Sequence, residues 1–327
     1  MNILFFTSKE KELMARVAAG LPDVRILTAD DDDELRKAMP ETDIIVTSNR
    51  VYVDQPAKII IDGAKRLKWI HFNTSGIDKA IKSGLPEGVP VTNSAGFHAA
   101  RIAQHAMSLL LAVARRHNDA AAARATREWV RDVITPKMVS LEKRNMVVIG
   151  LGSIGQELAR KAKAFDMRVI GISRSNTPMA NVDEIRPRER LLETLREADV
   201  VALAASYDET THHMIDTKAL AAMKPTTIIV NVARGLLIDE EAMIKALRAE
   251  TIYGAGIDVM SVEPLPPESP LWDLKNVVLT PHSAGGGGGD DKVEPIFQII
   301  AENYKRLKAG QPMIKLVYGP ATAKIPA

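Results

Sequence analysis

The apolar residues of the chain follow two patterns that alternate along its length. Short, unbroken apolar runs rich in Val and Ile recur at intervals, as strands buried in a parallel sheet require. Between these runs, apolar residues return every three or four positions, which is the spacing of an amphipathic helix. The alternation predicts an α/β protein built on parallel sheets.

The N-terminal region predicts a small α/β domain with a sheet of its own. Strands are predicted at 2–6, 24–27, 43–47, 67–72 and 91–93, with a helix at 10–19. The turn after the fourth strand, Asn73 to Asp78, is rich in small residues and contains Ser75 and Gly76. Such a turn can present backbone N–H groups to an anion. A plain strand-to-helix turn has the same composition, so both interpretations stay open.

The same alternation continues beyond this region and predicts a second, doubly wound domain. Its strands are predicted at 146–149, 169–172, 200–204, 227–232, 252–259 and 277–280, and its helices at 158–165, 191–198, 217–223 and 239–249. The predicted helix at 99–114 is apolar around most of its circumference, so it is either buried or covered by a partner subunit. The polar segment 115–131 is predicted to be helical, and a further helix is predicted at 296–308.

Composition and charge narrow the classes of protein that fit this pattern. The 327 residues carry a net charge of only +2, which argues against a dedicated nucleic-acid surface. The chain has no cysteine, so thiolate catalysis and cysteine metal sites are excluded, and we expect no metal site. The first residues lack the pattern of a signal peptide, and no apolar run is long enough for a membrane span. We therefore expect a cytoplasmic protein with neither nucleic acid nor membrane as a partner.

One stretch, Arg144 to Ser175, predicts a dinucleotide site. It combines a strand, a glycine turn, a helix and a second strand in the order of a nucleotide-binding βαβ unit. The turn consists of Gly150, Leu151, Gly152, Ser153, Ile154 and Gly155. In this motif the first glycine allows a tight turn, the second lets backbone approach a pyrophosphate, and the third lets helix and strand pack closely. The helix N-terminus would face the phosphates.

Three reactive side chains follow successive strands of the same predicted domain: Arg234, Glu263 and His282. Ligands of open α/β sheets bind at the carboxyl edge where these residues lie. Arg234 can bind a substrate carboxylate or carbonyl through two N–H groups. His282 can exchange a proton with the carbonyl oxygen as hydride is transferred, and Glu263 would favour its protonated form. Taken one by one, each residue could equally belong to an ordinary turn.

Together these segments resemble the D-isomer-specific 2-hydroxyacid dehydrogenase family over nearly the whole chain. The resemblance is carried by residues 91–93, the glycine turn, and residues 231–235, 256–259, 263–265 and 279–282. It implies a Rossmann cofactor domain at 98–286, inserted into a smaller flavodoxin-like substrate domain formed by 1–97 and 287–327. It also implies a homodimer formed through the helix at 99–114 and its neighbours.

The resemblance further assigns individual residues. It implies that Arg234, Glu263 and His282 are the catalytic trio, and that Asp258 with the backbone at Val232 and Ala233 contacts the nicotinamide. It implies that the N–H groups of Ser75 and Gly76 bind the substrate carboxylate, which favours the anion interpretation of that turn.

The chain departs from the NAD-preferring pattern at the end of the second strand of the βαβ unit. An acid at this position would bind a ribose 2′-hydroxyl and repel a 2′-phosphate, whereas this chain has Ser173, Arg174 and Ser175. An arginine flanked by hydroxyls would attract the phosphate, so NADP(H) is predicted to be preferred over NAD(H). Ala204-Ala205-Ser206 also replaces the family's His-x-Pro.

These observations predict an NADP(H)-dependent reductase of a small 2-oxoacid such as glyoxylate or hydroxypyruvate. Two alternatives stay open at this point. A phosphite dehydrogenase shares the same trio of side chains. A corepressor-like protein that senses a nucleotide would share the cofactor fold without turnover, although the intact trio argues against it.

Overall fold

The structure, a computed structural model, describes residues 1–6, 10–286 and 293–321. The chain divides into two compact units, Met1–Phe97 with Gly287–Ala327, and His98–Gly286. Among the described helices, none has the length and apolar character that crossing a membrane would require.

The N-terminal segment of the first unit alternates strands with helices, as predicted. Its strands are β1 (Asn2–Phe5), β2 (Arg25–Thr28), β3 (Ile44–Thr47), β4 (Trp69–Phe72) and β5 (Val91–Asn93). Its helices are α1 (Lys11–Gly20), α2 (Asp32–Ala38), α3 (Asp54–Gly63) and α4 (Asp78–Ser83). The acidic run before α2 begins the helix, because the Asp31 side chain accepts the N–H groups of Asp33 and Glu34.

The second unit contains a longer series of the same kind. Its helices are α5 (Ala99–Ala114), α6 (His117–Thr126), α7 (Arg131–Ile134), α8 (Ser153–Lys163), α9 (Leu191–Glu197), α10 (Thr217–Ala222) and α11 (Glu240–Arg248). Its strands are β6 (Asn145–Ile149), β7 (Arg168–Ile172), β8 (Glu184–Arg186), β9 (Val200–Leu203), β10 (Ile228–Asn231), β11 (Gly254–Ile257) and β12 (Val277–Leu279). The chain then returns to the first unit with α12 (Val293–Ala309) and β13 (Leu316–Tyr318).

The first unit has a flavodoxin-like sheet. Its strand order is β2-β1-β3-β4-β5-β13, and the pairs from β2 to β5 are parallel while β13 runs antiparallel to β5. The order 2-1-3-4-5 is the flavodoxin order. Separate apolar cores cover the two faces of this sheet.

The second unit has a Rossmann sheet, as predicted. All its strand pairs are parallel, in the order β12-β11-β10-β9-β6-β7-β8. The order reverses between β6 and β9, which is the switch point where such sheets bind ligands. One apolar core lies on each face, so the sheet is doubly wound.

One face of helix α5 is buried within its own unit. It packs on α8 and on strands β10 and β11, and Ala103, Ala106, Leu110 and Val113 belong to one of the two cores. Of the two explanations for its apolar circumference, burial in the domain accounts for this face.

Two predictions of local structure need correction. The segment 115–131 is helical over His117–Thr126, but Arg116 and Arg127 adopt left-handed backbone (φ 61° and 59°) and limit the helix to that part. Phe165 is not on a helix face, because α8 ends at Lys163 and the ring is 38% exposed in the turn beyond. Of the glycine run at 285–289, only Gly285 and Gly286 lie within the described residues, and most of the C-terminal tail, 322–327, lies outside them.

Candidate active site

The glycine turn joins β6 to α8 at the switch point of the second sheet. Gly150 has φ 94°, and a Cβ there would lie 2.6 Å from backbone atoms of Ala205. A Cβ on Gly155 would lie 1.9 Å from the carbonyl oxygen of Gly150. These two glycines are therefore required by the packing of the unit itself.

Gly152 differs from the other two glycines. A Cβ at this position meets nothing within 4 Å. Gly152 is the N-cap of α8, and the first turn of the helix consists of Ser153, Ile154 and Gly155, each of which has a backbone N–H group. First-turn N–H groups have no partner inside a helix and together carry a partial positive charge. The open space beside Gly152 and the helix N-terminus fit a pyrophosphate.

The end of β7 carries the residues that were predicted to select the cofactor. Arg174 is exposed, and the Ser173 hydroxyl accepts the backbone N–H of Ser175 at 3.2 Å. The Ser175 hydroxyl in turn lies 2.8 Å from that of Thr177. Arg174 is thus flanked in the sequence by two hydroxyl residues, and a guanidinium with hydroxyl groups is the chemistry that binds a phosphate monoester.

A carboxylate that the sequence did not single out lies near Arg174. Asp208 is in the loop after β9, and its Oδ1 accepts the N–H and hydroxyl of Thr210 and the N–H of Thr211. The Thr210 hydroxyl bond lowers the pKa of Asp208, and the charge of Arg174 lowers it further. Because Oδ1 accepts these three hydrogen bonds, the Asp208 carboxylate is held by its own turn.

Arg234, Glu263 and His282 follow the neighbouring strands β10, β11 and β12. The His282 Nδ1 atom lies 2.7 Å from Oε2 of Glu263. The other carboxylate oxygen of Glu263 accepts the backbone N–H of Met260 at 3.1 Å. A carboxylate only accepts hydrogen bonds, so Nδ1 carries the proton and Nε2 is the atom through which His282 can act on a ligand.

The loop after β10 is held against the loop after β11. Val232 and Ala233 are buried, and the Asn231 side chain binds both the Ala233 N–H and the Arg234 carbonyl. A Cβ on Gly235 would lie 2.0 Å from the carbonyl carbon of Met260, so the two loops touch through backbone. This close approach fixes the positions of Arg234 and the Met260–Glu263 turn relative to each other.

Asp258, which directly follows β11, is 1% exposed and accepts hydrogen bonds from the loop after β12. Its carboxylate accepts the Thr280 hydroxyl and the backbone N–H groups of Ser283 and Ala284. The sequence suggested only a contact with nicotinamide at this position. These three hydrogen bonds, which hold the loop that contains His282, depend on the conformation of that loop, and no sequence motif predicts them.

Ser75 and Gly76 belong to the first unit, in the loop after β4. Asn93 donates to the carbonyl oxygen of Ser75, and the Thr74 hydroxyl donates to that of Gly76 at 3.0 Å. These bonds hold the peptide groups of the turn in place, and its N–H groups are the donors that an anion would need.

Comparisons with known proteins identify the family to which this chain belongs. Residues 107–284 match the family model described as D-isomer specific 2-hydroxyacid dehydrogenase, NAD binding domain. The chain is 36% identical over 286 residues to a glyoxylate reductase of Thermococcus gammatolerans, covering 85% of this chain and 83% of that protein. It is 34% identical over 282 residues to a hydroxypyruvate reductase of Thermotoga maritima, covering 82% and 88%.

Solved structures show the same likeness. A D-isomer specific 2-hydroxyacid dehydrogenase of Xanthobacter autotrophicus, in complex with NADPH and MES, superposes with a TM-score of 0.82 at 25% identity. The superposition covers 97% of this chain and 98% of the other.

Proposed function

The chain belongs to the D-isomer specific 2-hydroxyacid dehydrogenase family of oxidoreductases, and we propose that it reduces a small 2-oxoacid with NADPH. The observation that carries the proposal is the His282–Glu263 pair, 2.7 Å apart, at the sheet edge that also holds Arg234. An imidazole whose Nδ1–H is bound by a carboxylate has Nε2 left for proton transfer to a carbonyl oxygen.

The three side chains divide the work of the reaction in this proposal. Arg234 binds the carboxylate or carbonyl of the oxoacid through its N–H groups. His282 donates the Nε2 proton to the carbonyl oxygen, and Glu263 stabilises the imidazolium and fixes its orientation. When bound, the reduced nicotinamide supplies the hydride.

The second unit is the proposed cofactor domain. The open space at Gly152 and the first turn of α8, from Ser153 to Gly155, fit the pyrophosphate. The buried backbone at Val232 and Ala233, with Asp258, would border the nicotinamide.

We propose that NADP(H) is preferred over NAD(H). The exposed guanidinium of Arg174, flanked by Ser173 and Ser175, supports this preference, because the same position would carry an acid if it bound a free 2′-hydroxyl. The NADPH complex of the Xanthobacter relative is consistent with it.

The first unit is the proposed substrate domain, and the N–H groups of Ser75 and Gly76 are the proposed ligands of the substrate carboxylate. Glyoxylate and hydroxypyruvate are the substrates that we favour, because the similar Thermococcus and Thermotoga proteins are named for their reduction.

A homodimer is part of the same proposal. The Trp129 side chain is 92% exposed just before α7, and Val133 on that helix is 59% exposed. Large apolar side chains in such exposed positions favour coverage by a second copy. Light scattering behind a sizing column should give twice the chain mass.

The decisive experiment is NADPH and NADH oxidation, followed by absorbance, against a panel that contains glyoxylate, hydroxypyruvate and pyruvate. We expect turnover with at least one oxoacid and a kcat/KM for NADPH at least about tenfold above that for NADH. Tight NADPH binding with no turnover on the panel would favour a corepressor-like binding protein. Reduction of NADP⁺ by phosphite, without turnover of any oxoacid, would instead identify a phosphite dehydrogenase.

A further inference from the structure

His282 adopts a backbone conformation that an L-residue rarely takes. Its φ is 50°, in the left-handed region. A non-glycine residue persists there only when its surroundings impose the conformation. The backbone around His282 therefore has to be held, and the way it is held determines where the imidazole points.

The Asp258 residue holds the chain on both sides of His282. Its Oδ1 accepts the Thr280 hydroxyl at 2.6 Å before the histidine and the Ser283 N–H at 2.8 Å after it. Its Oδ2 accepts the Ala284 N–H at 3.0 Å, and its backbone carbonyl accepts the N–H of His282 itself at 2.8 Å. The left-handed turn is thus closed around one buried residue.

The positions of the protons show that the hydrogen bonds around Asp258 continue to His105 on helix α5. Thr280 has one hydroxyl proton, and the short contact with the acceptor-only carboxylate uses it. The Nε2 atom of His105, on α5, lies 2.9 Å from the same Thr280 oxygen and 3.4 Å from Oδ1 of Asp258. Nε2 faces only acceptors, so it must carry a proton and donate to Thr280.

We propose that His105 and Thr280 are positioning residues that act on His282 through Asp258. His105 donates to Thr280, Thr280 donates to Asp258, and the carboxylate so fixed keeps His282 in its left-handed conformation with Nδ1 on Glu263. Without the Thr280 hydroxyl, Asp258 loses one of its donors and can rotate, and the turn relaxes. The effect on turnover rests on the proposed function; the tautomer of His105 does not.

The kinetic test pairs each disruptive variant with a conservative one. Thr280→Val and His105→Leu remove a donor, whereas Thr280→Ser and His105→Gln keep one near the same place. We expect the first two to lower kcat about tenfold with KM for the oxoacid within about twofold, since the lost hydrogen bond does not touch the substrate. The conservative variants should recover most of kcat.

The exposed His117 on α6 gives a matched control, and His117→Leu should match wild type. Circular dichroism and NADPH binding establish that each variant is folded. Equal losses in Thr280→Val and Thr280→Ser, or a loss that falls mainly in KM, would overturn the proposal.

Nuclear magnetic resonance tests this relay, the hydrogen bonds from His105 through Thr280 to Asp258, without any turnover. The chain has only 7 histidines, so labelled imidazole signals can be assigned with single variants. We expect the His105 ring to carry a proton at Nε2, the nitrogen that faces Thr280. The Cε1–H signal of His282 should move in Thr280→Val and return in Thr280→Ser. An Nδ1–H tautomer at His105, or an unmoved His282 signal, would overturn the relay. A wild-type protein that reduces no oxoacid but shows these signals would contradict the proposed function and leave the relay supported.

Discussion

The imidazole of His282 is the residue on which the proposed chemistry depends. It is half exposed, and its Nδ1 is bound by Glu263. His282 follows β12 and Glu263 follows β11, and these two strands are neighbours in the sheet. The sequence predicted this pairing from the order of the strands, because parallel neighbours bring their carboxyl ends to one edge. The left-handed conformation that aims the ring could not be predicted, since it depends on bonds from residues distant in the sequence.

Replacing His282 should stop proton transfer without unfolding the protein. The side chain is exposed, so His282→Ala leaves the core intact, while the loss of a general acid lowers kcat by a factor on the order of 10² or more. Steady-state kinetics measure this, with His117→Ala as the control. Near-normal turnover in His282→Ala would remove this residue from the mechanism.

Arg174 is the residue through which cofactor choice is testable. Arg174→Ala removes the proposed cation beside the 2′-phosphate, so kcat/KM for NADPH should fall about tenfold to a hundredfold, as for a lost charge-assisted bond. The value for NADH should stay within about twofold, and the exposed Arg248→Ala, on α11, should change neither. A parallel loss with both cofactors would show that the arginine acts on the fold or on the shared part of the nucleotide.

The unit β6–turn–α8 is the element in which sequence and structure agree most closely. The glycines were predicted to have three distinct tasks, and two of these tasks are visible as close backbone contacts at Gly150 and Gly155. The open position at Gly152 has no such contact, so packing within the unit does not require a glycine there, and the predicted approach of a pyrophosphate is the role proposed for it.

This difference predicts opposite results from one added methyl group. Gly155→Ala should lower the free energy of unfolding by about 2–4 kcal/mol, because its Cβ would collide with the Gly150 carbonyl. Gly152→Ala should cost less than about 1 kcal/mol but weaken NADPH binding at least about tenfold. Urea unfolding and nucleotide fluorescence titration separate the two. Unchanged NADPH affinity in Gly152→Ala would remove the pyrophosphate from this turn.

Elements without a long apolar pattern were missed. Helix α3 begins Asp54-Gln55-Pro56, and a proline usually marks the end of a helix, yet here it stands in the first turn, where its missing N–H has no cost. Strand β8 is short, polar and at the sheet edge, and β13 pairs antiparallel with β5. Edge strands are buried on fewer sides, so their sequences carry a weaker pattern.

At the scale of the molecule, each unit has its own sheet and cores, and the first unit contains a histidine that burial keeps neutral. His71 on β4 is fully buried between the hydroxyls of Thr92 and Ser94, and burial lowers its pKa from 6.5 to about 3. As pH falls below 6.5, His71 binds a proton in the unfolded chain but not in the folded chain. Stability present above the unfolded pKa is therefore lost between pH 6.5 and about 3.

His71→Gln should make unfolding less sensitive to acid. Between about pH 7.5 and about pH 5.5, the wild type should lose about 1.4 kcal/mol of unfolding free energy through this residue, and the variant should not. Urea titrations followed by tryptophan fluorescence suit the measurement, because Trp69 is buried on the same strand. His117→Gln, at an exposed position, should keep the wild-type difference. An identical acid response in wild type and His71→Gln would contradict the assignment.

The sequence by itself determined the class of fold and the dinucleotide motif, because periodicity and glycine spacing are local properties that need few residues to specify, and the resemblance of several segments determined the family. Only the tertiary structure decided which glycine has open space beside it, which nitrogen of His282 is bound by Glu263, and that Asp258, Thr280 and His105 are linked. Those features depend on hydrogen bonds and close approaches between segments far apart in the chain, and such contacts leave no pattern along it.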